Sequence, residues 1–85
     1  MKSLCLALID AACFIELSPE GIIDQDAAVG ALEQMAAVMG SASSVEQDAF
    51  LDACTEAASA EPRTTRSQFI SELPSSLGIG GGRVA

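Results

Sequence analysis

Asp24 and Asp26 stand two positions apart, directly ahead of an apolar-periodic stretch, with Glu20 and Gly21 just before them. Carboxylates at this spacing could open a calcium loop, in which the first and third positions supply oxygen ligands. The residues that follow break that pattern. The fifth position is Ala28, the required glycine is replaced by Val29, and the closing bidentate Glu is replaced by Met35. Helix capping accounts for the same residues better. Asp24 precedes a helical pattern, so its carboxylate can accept hydrogen bonds from the orphan N–H groups of the first turn. Asp26 then falls in that turn, where the helix dipole favours negative charge. Gly21 lets the chain turn between helices.

Capping leaves Glu20, Asp26 and Glu33 less obliged by structure than Asp24. A second group sits further on: Asp48, Asp52 and Glu56 recur every fourth residue and so share one helix face. Like charges in this register destabilise a helix by roughly 0.2–0.5 kcal/mol per pair. No Lys or Arg intervenes between them in the sequence. Either the row arises by chance, or a cationic surface on another protein offsets that repulsion. Glu20, Asp26, Glu33, Asp48, Asp52 and Glu56 are therefore the expected partner-binding residues.

Other chemistries find little material. The chain has no His, which removes the usual nucleophile–base pair. Without His or clustered Cys a zinc site is not expected. Cys5, Cys13 and Cys54 are odd in number and lack close pairing in the sequence. On one helix, Cys5 and Cys13 would lie about 12 Å apart, whereas a disulfide needs less than about 7 Å. They read as small apolar residues. The "GIGGG" run from Gly78 to Gly82 follows no strand and precedes no Lys-Ser or Lys-Thr, so it is not a phosphate loop. An acyl-carrier role would require an Asp-Ser-Leu attachment site, and the chain has none. The expectation is a protein that is not an enzyme and carries no cofactor or metal.

The charge balance bounds the partners. Twelve acidic residues face four basic ones, for a net charge of −8. Between Ser3 and Pro62 there are eleven carboxylates and no Lys or Arg. Such a block repels nucleic-acid phosphates and anionic lipid, so neither nucleic acid nor membrane is an expected partner. A basic protein is. The apolar run Leu4–Ile9 ends at Asp10, too short for a signal-peptide core, and a cytoplasmic location is expected.

The elements that must position these charges are helical. Alternating apolar and polar residues are absent, and helical spacing recurs. The spacing predicts an all-α fold: a compact bundle of three main helices plus a short C-terminal helix, in a single domain over 1–79, with a flexible tail over 80–85. The first helix is expected over Ser3–Glu16 at the centre of the fold, with Leu4, Leu8, Ala11 and Ile15 as its inner stripe and Ala7 and Phe14 beside it. The second is expected over Gln25–Met39, facing inward with Ala28, Leu32, Met35, Ala36 and Met39. Gly40 is its expected left-handed stop. The third is expected over Ser44–Ala60, with Ser43 and Glu46 as a capping box and Phe50, Ala53, Cys54, Ala57 and Ala58 inward. The fourth is capped by Thr65 with Gln68, carries Phe69, Ile70 and Leu73, and is stopped by Pro74. Leu77 and Ile79 are expected to lie across the end of the bundle. With three Phe and neither Trp nor Tyr, the core is thin.

In length, acidity, all-α pattern and lack of catalytic residues, the chain resembles small bacterial immunity proteins of the nuclease-colicin and contact-dependent toxin type. The resemblance implies a helical domain whose carboxylates, usually on helix 2 and the following element, meet the Lys and Arg of a basic toxin domain. The tyrosines of the colicin-immunity signature have no counterpart here, so no binding residue is carried over from that family. Two functions follow as expectations: neutralisation of a basic partner, most concretely a cognate toxin domain, or self-association as a helical adaptor, in which case a homodimer forms.

Overall fold

Each of the four helical patterns forms a helix, and their order along the chain is α1 (Lys2–Leu17), α2 (Gln25–Gly40), α3 (Ser44–Ala60) and α4 (Thr64–Ser76). The computed structural model describes residues 1–19 and 21–79. Glu20 and the expected tail over 80–85 lie outside the described residues.

Local chemistry sets the helix boundaries. Asp24 caps α2, its carboxylate accepting from the Ala27 N–H at 3.0 Å. Gly21 takes a φ of 95°, a left-handed value open to glycine without steric cost, in the turn that leads into that cap. Ser43 and Glu46 form a full capping box at the start of α3: the Glu46 N–H donates to Ser43 Oγ at 3.1 Å, and the Ser43 N–H donates to Glu46 Oε1 at 2.9 Å.

Three expected boundaries are corrected. Gly40 is the last residue of α2 and not a left-handed stop; Ser41 follows, its N–H and hydroxyl both donating to the last-turn carbonyls. Thr65 lies inside α4, whose cap is Arg63 with no side-chain cap bond. Pro74 does not stop α4, which continues to Ser76. Pro74 removes one backbone donor from the ladder, and bonds further along close the helix end around it. The Leu77 N–H reaches the Leu73 carbonyl at 3.0 Å, and the Ile79 N–H reaches Pro74 O at 2.7 Å. That wrap buries Leu77 and Ile79 against the bundle end, as their apolarity predicts.

The core is built mainly from α1, α3 and α4. Its largest fully buried side chains are Phe50, Ile9, Ile70, Leu73, Cys13 and Cys54. The inner face of α1 differs from the expected one. Cys5, Ile9, Ala12 and Cys13 are buried, while Leu4 and Phe14 are exposed by 74% and 58%. Ala7 and Ala11 are exposed with them, and Leu8 and Ile15 are half-buried. A helix apolar nearly all round gives periodicity no basis for choosing a face. The packing of α3 and α4 decides here, covering the side that carries Cys5, Ile9, Ala12 and Cys13. Helix α1 does contact all three other helices, which matches its expected central place.

Helix α2 is the least covered. Its inner face is the expected one, but only Ala28 is buried; Leu32, Met35, Ala36 and Met39 remain half-buried. Its C-terminus is tied to α3 by a bond from Gln47 Nε2 to Met39 O at 2.8 Å.

Candidate partner-binding surface

Among the described residues no polar or charged residue is buried, so the acidic excess lies on the surface. The described Lys and Arg side chains are all engaged within the molecule. Lys2 Nζ reaches across from α1 to Glu56 Oε1 on α3 at 3.0 Å. Arg63 folds back onto Glu61 at 2.9 Å. Arg66 meets Asp10 Oδ1 at 2.8 Å and lies 2.8 Å from Glu61 Oε1, the second contact being an ion pair without hydrogen-bond alignment. Glu61 is thus the electrostatic hub of the α3–α4 corner. Its hydrogen bonds from Arg63 hold its pKa down at about 2, and Glu61 in turn raises Arg63. Bonds from Ser43 lower Glu46.

This arrangement sorts the expected binding residues. Glu33 and Asp26 are exposed on α2. Asp48, Asp52 and Glu56 are exposed on α3. The row is not unrelieved, as its sequence suggests, because Lys2 from α1 neutralises its third member. Sequence distance hid this pair, which spans 54 positions. Glu16, Asp26, Glu33, Asp52 and Glu72 have no ion-pair partner among the described residues.

Three of those carboxylates converge on one groove. It lies between α2 and α4 beside the end of α1, has a volume of about 440 Å³, and carries Glu16, Glu33 and Glu72 on its walls. Buried Leu73 and Leu77 line it together with half-buried Leu32 and Phe69. Of the residues expected from sequence, only Glu33 belongs to it. Glu16 and Glu72 are not among the residues expected from sequence. Glu16 does carry a local signal. It sits in the last turn of α1, where negative charge opposes the helix dipole and no basic residue offsets it.

A second groove of about 370 Å³ sits at the other end of α2, lined by Leu4, Leu8, Val38, Met39 and Phe50. Its one carboxylate, Glu46, is already held in the capping box.

The three cysteines are buried and unpaired. Burial raises Cys13, and burial first, then Cys5 and Cys13 beside it, pushes Cys54 up to about 12. Protonated thiols of this kind are poor nucleophiles. No group of His, Cys, Asp and Glu among the described residues could hold a metal ion. No helix among them is long and apolar enough to cross a membrane. No family model, curated protein or solved structure matches the chain. The surface offers both negative charge and apolar area.

Proposed function

We propose that this chain binds a basic partner protein stoichiometrically and neutralises it, as an immunity protein does for a bacterial toxin. One observation carries this reading. The described Lys and Arg side chains are paired inside the molecule, while Glu16, Asp26, Glu33, Asp52 and Glu72 have no ion-pair partner among the described residues. The described surface therefore presents negative charge outward. Such a field steers a basic partner to the surface and suppresses acidic ones. The reading is tested by co-expressing the chain with the basic C-terminal domain of a secreted protein encoded beside it. Restored growth supports it; unrestored growth with both proteins present counts against it.

A second reading is self-association as a helical adaptor. Exposed Leu4, Ala7, Ala11 and Phe14 lie along one side of α1 and favour it. A net charge of −8 on each copy opposes it. Light scattering at micromolar concentration separates the two readings, since a mass of one chain leaves no adaptor formed by self-association.

A further inference from the structure

We infer that the element of the partner recognised by this chain is a basic amphipathic helix, seated in the groove between α2 and α4. The inference rests on the basic-partner reading above and names its site.

Shape supports a helix. Val29, Leu32 and Ala36 line one wall at helical spacing over two turns of α2; Phe69, Leu73 and Ser76 do the same along α4. Two helix walls with an open trough between them present the ridges and grooves that accept a third helix. An amphipathic helix laid into such a trough anchors through apolar residues at successive turns.

Incomplete packing supports it further. Helix α2 buries only Ala28, and its apolar face is otherwise half-covered. A helix in the trough would cover Leu32 and the exposed Val29 and would brace α2 against α4.

Charge selects the occupant. Glu16, Glu33 and Glu72 come from three different helices, line the same trough, and have no cation partner among the described residues. Lys or Arg flanking the apolar stripe of a guest helix would meet them on each side. The groove at the other end of α2 lacks this selectivity, because its Glu46 is committed to Ser43.

The probe is a synthetic peptide of Leu and Lys with Leu at helical spacing, compared with a scrambled peptide of the same composition. Fluorescence anisotropy with the full chain reads the affinity. The amphipathic peptide should bind at least about tenfold tighter than the scrambled one, a difference that only an ordered apolar stripe supplies. Glu16→Gln, Glu33→Gln and Glu72→Gln together should weaken it roughly tenfold, and Asp48→Asn with Asp52→Asn should change it little. Circular dichroism confirms that the variants keep their helices. As a check that needs no variant, amide shifts of the wild-type chain should move along the facing sides of α2 and α4.

If the two peptides bind alike, or if neutralising Asp48 and Asp52 matters more than neutralising the groove, the site is wrong while the basic-partner reading stands. If neither peptide binds even at low salt, both fall.

Discussion

The guanidinium of Arg66 lies 2.8 Å from Asp10, joining α4 to α1 across 56 positions of sequence. Arg66 also abuts Glu61 and is only 24% exposed. Lys2, by contrast, pairs with Glu56 where both side chains are largely in water. Exposed pairs contribute about 0–1 kcal/mol, and less-exposed hydrogen-bonded charges contribute more. Arg66→Ala should therefore lower stability by about 1–2 kcal/mol. Lys2→Ala should stay within about 0.5 kcal/mol of the wild type. Thermal melts decide between them; equal shifts would remove Arg66 from its place at the α3–α4 corner.

Two glycines should respond in opposite directions. Gly30 lies inside α2 with open space where a Cβ would go. Gly30→Ala should stabilise the chain by about 0.5–1 kcal/mol, the helix-propensity difference. Gly21 has a φ of 95°, so Gly21→Ala should destabilise it by about 1–2 kcal/mol. Denaturant midpoints for the two variants check both signs.

Acid should act through Glu61. Its pKa is held at about 2, below the ordinary 4.5, so its contribution to stability is full above 4.5 and is lost as the pH falls through about 2. Glu46 is lowered by its capping bonds and contributes with the same sign. Between these limits the wild type should lose more stability than Glu61→Gln, which has no proton to gain at this position. Parallel melts across this pH window test it, and identical slopes would exclude Glu61 as a source of acid sensitivity.

The thiols should be silent in the native state. All three cysteines are buried, and Cys54 is raised to about 12. A water-soluble disulfide reagent at mildly alkaline pH should label none of them rapidly in the folded chain and all three in denaturant. Fast native labelling of Cys54 would contradict the burial of the α1–α3 contact.

Much of the fold is legible in the sequence because local signals govern it. Asp24 and the Ser43–Glu46 box mark helix starts through bonds within a few residues, and α3 occupies the expected Ser44–Ala60. Face selection on α1 is not local. Leu4 and Ile9 are equally apolar, and only the arrival of α3 and α4 decides that Ile9 is buried and Leu4 is exposed. The site follows the same division. Glu33 is visible in the sequence as a surplus carboxylate. Its grouping with Glu16 and Glu72 requires the packing of three helices, and Lys2 beside Glu56 requires the contact of α1 with α3.

The most direct test of the central claim is an NMR titration of the full chain with the Leu–Lys amphipathic peptide, at low and at physiological ionic strength. Saturable shifts centred on Leu32, Glu33, Phe69 and Glu72 are expected, with affinity falling as salt shortens the Debye length from about 30 Å at 0.01 M to about 8 Å at 0.15 M. Shifts confined to the Leu4–Phe14 side of α1, or an affinity indifferent to salt, would contradict it.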